Sequence, residues 1–150
     1  MQSRMATYFR IEQAEALLKE VESAIRNAIE LKHFYQEAES VLRQESERIL
    51  LSGGASVDRP RLQAERSRRD TCARKLQEAI EQIHSFGCEV KDLDMGLIDF
   101  RSLYQGREVY LCWKLGEPRI EYWHGIEEGF RGRKKIDQDF LREHRGSQPV

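Results

Sequence analysis

The sequence predicts an α+β fold: a long, coiled-coil-like antiparallel helical hairpin followed by a small, mostly antiparallel β-sheet. Three observations predict it. Apolar residues recur at heptad spacing from Ile11 to about Leu51, the stretch "SGGASVDRP" interrupts them, and beyond Gly87 the apolar period changes to two.

The first helix carries Ile11, Ala14, Leu18, Val21, Ile25 and Ala28, whose spacing alternates three and four. Leu31, Tyr35, Ala38, Leu42 and Ile49 continue the stripe after a one-residue drift, and Leu17, Ala24, Leu50 and Leu51 widen it at both ends. One helix of about forty residues, roughly 60 Å long, accounts for the pattern. The two glycines of "SGGASVDRP" supply a C-terminal cap. Asp58 or the residue after it caps the next helix, with Pro60 in its first turn. That second helix shows Leu62, Arg69, Cys72, Leu76, Ile80 and Ile83 on one face and ends at Gly87. A short connection makes the two helices antiparallel neighbours. Charge agrees, because residues 10–51 hold nine acidic and six basic side chains while residues 59–86 hold four and seven. Folding at the glycines brings Arg66, Arg69 and Arg74 toward Glu37, Glu39 and Glu45.

In "REVYLCWKL", Val109, Leu111, Trp113 and Leu115 alternate with polar or smaller neighbours, and "RIEYWH" alternates likewise. Reading "GE" as a tight turn pairs Leu115 with Pro118. This register sets Trp113 opposite Ile120, Leu111 opposite Tyr122 and Val109 opposite His124 on a face toward the helices. The other face then carries Tyr110 beside Trp123 and Cys112 beside Glu121. "EVKDLDMGLIDF" contributes one or two further strands broken at Gly96. The whole is one domain over residues 1–145, with the hairpin at 8–86, the sheet at 88–135 and a flexible tail from 146 to 150.

Composition narrows the classes of function. Charged residues make up 34% of the 150 and hydrophobic ones 39%, a balance suited to long exposed helices. The net charge of -1 supplies no field toward nucleic acid or an anionic membrane. No apolar run reaches the roughly 20 residues that span a bilayer, and the N-terminus has no stretch like a signal peptide. Three widely spaced cysteines make no disulfide framework, so the cytoplasm is the expected compartment.

"YFRIEQAEALL", "FGCEVKDLDMGLIDF", "GREVYLCWKLGE", "YWH" and "EGFRGR", in that order, resemble the uncharacterised bacterial family catalogued as domain of unknown function 2203. The resemblance covers nearly the whole chain and is strongest from Gly87 to Arg133. Lys19 and Arg101 stand where the family often has proline. The resemblance implies the fold class and brings with it no activity or catalytic residue.

Chemistry-bearing residues concentrate between Glu108 and Arg133. His124 and Glu128, four apart, with Asp99, form a candidate metal site for zinc, manganese or iron, to which Asp92, Asp94 and Glu121 could add oxygens. Against it stands a simpler reading, in which His124 ends a strand, packs on Val109 and bonds one carboxylate. Arg133 and Glu121 are candidate ligand-binding residues, since an arginine between glycines can approach an anion bidentately. The simpler reading pairs Arg133 with Asp94, Asp99 or Glu127. Cys112 would need a base to act as a nucleophile, and the predicted register turns His124 away from it, so it reads as a small buried hydrophobe. The arginines of "RPRLQAERSRRD" lack interleaved aromatics and match the first helix's glutamates, which argues against a nucleic-acid interface.

The function this sequence predicts is therefore a cytoplasmic, non-enzymatic interaction or scaffold protein. It works through its helical hairpin as a homodimer, without a membrane or nucleic acid. The alternative is a protein that binds a metal or an anionic ligand through the acid, histidine and arginine cluster at the strand ends. No catalytic residue is identified.

Overall fold

The computed structural model describes residues 7–54 and 57–147. Helix α1 runs from Ile11 to Leu51 and α2 from Arg59 to Ser85. The sheet follows as β1 (Glu89–Asp92), β2 (Leu97–Tyr104), β3 (Arg107–Lys114) and β4 (Tyr122–Gly125). A 3-10 turn at Phe130–Gly132 leads into β5 (Lys134–Lys135), and α3 (Gln138–Glu143) into β6 (His144–Arg145). The fold is α+β, as the periodicities predict. Among the described residues, no helix is long and apolar enough to cross a membrane.

The helix ends follow from their local chemistry. Gln13 Oε1 takes the Arg10 N–H at 2.8 Å, and the buried ring of His144 takes the Ile11 N–H at 3.1 Å. Two donors at the start of α1 are thus satisfied, one of them from the far end of the chain. At the other end Ser52 N–H returns to Arg48 O and Gly54 N–H to Ile49 O. Asp58 Oδ1 accepts from Arg61 N–H at 3.1 Å, the cap expected for α2.

The hairpin's charge pairing forms, with Arg69 on Glu39 as expected, while Glu45 and Glu37 take other arginines than those expected. Glu45 meets Arg61, Glu37 meets Arg68, and Glu39 meets Arg69. Arg74 instead reaches Glu78 on its own helix at 3.9 Å. Such exposed pairs contribute about 0–1 kcal/mol each and set the partner rather than the strength of the hairpin. Glu45 is the exception in burial, at 8% exposed, and it takes hydrogen bonds from Arg48 and Arg61. The bond from Arg48 first, and then the charges of Arg48 and Arg61, hold its pKa below the ordinary 4.5 despite burial. A lowered folded pKa means that its contribution is complete above 4.5 and is lost as the pH falls through the folded value. Amide protection around the hairpin turn, taken relative to the intrinsic exchange rate at each pH, should therefore fall on acidification below that range before the sheet responds, and Glu45→Gln should remove this pH dependence.

The strands lie in the order β1-β2-β3-β4-β5, all antiparallel, and β6 shares the outer edge of β2 beyond the end of β1. The β2–β3 turn, Gln105–Gly106, has φ of 52° and 75°, the double positive φ of a type I′ hairpin. It sets Tyr104 opposite Arg107 and, five pairs along, Asp99 opposite Cys112. One sheet face presents Ile98, Phe100, Val109, Leu111 and Trp113 to Phe9, Ile11, Val21, Ile25 and Ile83, which together form the core. Tyr8 and Ser147 exchange two bonds, Ser147 N–H to Tyr8 O at 2.8 Å and Tyr8 N–H to Ser147 Oγ at 2.9 Å. The tail expected from Gly146 is thus tied down at 146–147, and its remainder lies outside the described residues.

The predicted register of β3 and β4 is wrong by one residue. Val109 faces Gly125, Tyr110 faces His124, Leu111 faces Trp123 and Cys112 faces Tyr122. The connection is longer than a Gly–Glu turn. Glu117 N–H bonds Lys114 O, its Oε1 takes Lys114 N–H, and its carbonyl takes the Trp113 indole. The ladder resumes only at Tyr122. A slip of one residue moves every side chain of the strand to the opposite face. It carries His124 away from the core side and onto the face of Cys112. That is the correction on which the site depends.

Candidate metal centre

Alternation places Asp99 on β2, Cys112 on β3 and His124 on β4 along the sheet face turned away from the helices. Asp99 and Cys112 are direct cross-strand partners, and His124 lies one diagonal step further. His124 Nε2 stands 3.0 Å from Asp99 Oδ2. The carboxylate, thiol and imidazole atoms all lie within 4.8 Å of one another. Although the face is free of helices, the three side chains are 1%, 0% and 2% exposed. Tyr110, whose ring sits 5.4 Å from that of His124, flanks them on one side. On the other, the Arg133 guanidinium lies over the ring of Tyr122 at 3.9 Å and over that of Phe130 at 4.9 Å.

His124 Nδ1 lies 2.8 Å from the carbonyl of Gly125, an acceptor, so that nitrogen carries the proton. Nε2 is left pointing at Asp99. A backbone carbonyl that fixes the tautomer while the second nitrogen faces anionic ligands is the usual outer support of a metal-binding histidine. Burial alone would lower the His124 pKa. The bonds to Asp99 and Gly125 outweigh it, with help from the charges of Asp99 and Glu128, and the pKa is raised. Burial, and then the Asp99 carboxylate, push the Cys112 thiol up, while Arg133 pulls it the other way. Asp99 Oδ1 is buried without a hydrogen-bond partner, and such a lone buried oxygen is rare in a folded protein.

This arrangement can hold protons or a metal. With protons, an imidazolium pairs with Asp99 and the thiol stays neutral. With a divalent ion, one carboxylate, one thiolate and one neutral imidazole bring the total charge to zero. Tetrahedral bonds of 2.0–2.3 Å separate nitrogen and oxygen ligands by about 3.3 Å. The observed 3.0 Å needs only a small opening to reach that distance. Asp99 binding through both oxygens would complete four donors and use the lone Oδ1. A nucleophilic cysteine is a poor fit. The thiol is fully buried with a raised pKa, and both nitrogens of the adjacent histidine are engaged.

The other predicted site residues fall elsewhere. Glu128 Oε1 accepts from Gly125 N–H at 2.8 Å and from Lys134 Nζ at 2.5 Å, and these bonds lower its pKa, Lys134 first. It braces the loop behind His124 and reaches no ligand position. A Cβ on Gly132 would stand 2.6 Å from that of Glu128, so the brace needs glycine there. Arg133 pairs with Glu117 at 2.5 Å, a partner other than the three expected. Asp94 pairs with Lys32, and Asp92 caps the β1–β2 turn through Met95 N–H. Glu121 lines a 330 Å³ cleft with Glu15, Arg119 and Lys135, in which Arg133 takes no part.

Two residues take places that the sequence did not indicate, Cys112 beside His124 and His144 at the start of α1. Cys112 was hidden by the slipped register, although the Gln105–Gly106 signal that pins Asp99 to it stands in the sequence. His144 had no local signal, because its partner Ile11 is 133 residues away.

A family described as an uncharacterized conserved protein, domain of unknown function 2203, matches residues 7–136. The chain belongs to this family. Compared with the curated proteins and with the solved structures, it matches none significantly. The family span of 2203 contains both long helices and all three residues of the buried cluster. It stops short of Phe140 and His144, which complete the core and cap α1.

Proposed function

We propose that this chain is a non-enzymatic interaction protein whose sheet is locked by one structural divalent transition metal, held by Asp99, Cys112 and His124. The observation that carries the reading is the convergence of three different ligand types, all buried, around an Asp99 oxygen with no other partner. Burial of the ligands suits a closed structural site rather than one that exchanges substrate. The thiolate selects among the metals expected from the sequence. Zinc comes first, iron second, and manganese, which prefers oxygen ligands, last. The metal ties β2, β3 and β4 in register, and these strands form the platform from which the hairpin projects. A reducing, cytoplasmic setting suits the three free cysteines, all of them buried.

Elemental analysis of untagged protein purified without chelator tests this. The expected result is close to one zinc per chain, lost in His124→Ala and in Cys112→Ala and retained in Glu128→Gln. Cobalt in place of zinc should add a thiolate charge-transfer absorption that Cys112→Ser abolishes. Wild-type protein without transition metal, or metal that survives both ligand substitutions, would overturn the proposal.

A further inference from the structure

Arg133 carries a second unpartnered polar atom beside the buried cluster. Among the described residues, four buried side-chain atoms lack a hydrogen bond: Glu65 Oε2, Glu89 Oε2, Asp99 Oδ1 and Arg133 Nε. The two glutamate oxygens each have a cation close by, Arg68 at 3.6 Å and Arg101 at 3.7 Å. The other two belong to residues that pair through a different atom, Asp99 through Oδ2 and Arg133 through Nη2. One acceptor and one donor are thus left over on the same part of the sheet, where an unmade bond is costly.

Strand alternation brings the guanidinium to the side of Cys112. Tyr122 is the cross-strand partner of Cys112 in one direction and of Lys135 in the other. Lys134 turns to the opposite face, where its ammonium stands 4.7 Å over Trp123. Arg133, one residue earlier, returns to the face of Tyr122 and Cys112. Its side chain is 10% exposed and is fixed by three contacts, the rings of Tyr122 and Phe130 and the carboxylate of Glu117. Its charge reaches the sulfur: burial and then Asp99 raise the Cys112 pKa, and Arg133 acts against them.

A neutral thiol is a weak acceptor, whereas a metal-bound thiolate is an anionic one. Loading the ion therefore gives both leftover atoms a role, Oδ1 as a ligand and Nε as a donor to sulfur. Resting on the metal reading above, we infer that Arg133 is a positioning residue whose Nε–H bonds the Cys112 thiolate and holds it for the ion. Arginine suits this place because its planar fork serves Glu117 through one edge and sulfur through another. Lysine would keep the charge and lose the fork.

Zinc competition against a chromophoric chelator and cobalt spectroscopy test the inference. Arg133→Lys should weaken zinc binding by about 10- to 100-fold, the usual result of losing an outer partner of a ligand. At cobalt saturation the thiolate charge-transfer band should move to longer wavelength in this variant, because a bond to sulfur lowers the energy of its lone pairs. A purely structural role would lower stability and leave the saturated band in place. In wild-type protein with isotopically labelled arginine, the Arg133 Nε–H resonance should move downfield and exchange more slowly when zinc is added. That readout needs no variant. A wild type that takes up no metal would overturn the reading of the site and this inference with it. A wild type that binds metal while Arg133→Lys leaves affinity and band unchanged, or whose Nε–H resonance ignores zinc, would overturn this inference alone.

Discussion

Asp99→Ala should destabilise the metal-free protein by about 3–5 kcal/mol, the usual loss when one partner of a buried ion pair is removed. Asp99 is 1% exposed and His124 2% exposed, so no solvent replaces the missing carboxylate. The imidazole, whose raised pKa depends on that carboxylate, would have to give up its second proton or remain charged without a partner. The coupled substitution makes the argument specific. Asp99→Leu together with His124→Leu should recover more than half of the loss, because replacing both partners removes the unpaired charge as well as the pair. Urea midpoints of the wild type, Asp99→Leu, His124→Leu and the double variant close the cycle. Single losses that simply add in the double variant would show that the two side chains do not act as a pair. In metal-loaded protein the same Asp99→Ala change should also release the ion, a loss that the metal-free cycle does not include.

Phe140→Ala is the second large effect expected, at about 3–5 kcal/mol. The ring is fully buried and stacks on Tyr104 at 4.7 Å, Trp123 at 5.0 Å and His144 at 5.2 Å. Its loss opens a cavity and also frees α3 and β6, and with them the imidazole that accepts the Ile11 N–H. The damage should therefore appear at both ends of the chain. The urea midpoint falls, and the Ile11 amide, remote in sequence, exchanges faster. Leu141→Ala, one residue on and 37% exposed, should change stability by no more than about 0.5 kcal/mol. A Phe140→Ala variant with normal stability and a protected Ile11 amide would show that the C-terminal segment is not part of the core.

How much of the site was legible can be read from two turns. The Gln105–Gly106 turn carries a glycine at a position that needs positive φ, and its two residues set the whole β2–β3 register. The Gly116–Glu117 stretch looks like a similar signal and is not one. Glu117 bonds the backbone of Lys114 and also pairs with Arg133, which draws the chain into a longer loop. Local turn chemistry predicts a strand pair only when no distant side chain competes for the same residues. Here the competitor is sixteen positions away, and the result is a slip of one residue.

That slip separates what each level decided. The sequence by itself determined the two helices, their caps and antiparallel pairing, the change to strand periodicity at Gly87, and the segment in which the chemistry is concentrated. The helices, the cap of α2 and the change of period depend on residues within a turn or two of one another, and the short connection imposes the pairing. Only the tertiary structure decided which face His124 occupies, that Cys112 rather than Glu128 joins it and Asp99, and that His144 caps a helix at the opposite end of the chain. Each of these contacts joins residues that are brought together by sheet register or by closure of the core. The energy of such contacts comes from burial, which no short stretch of sequence records.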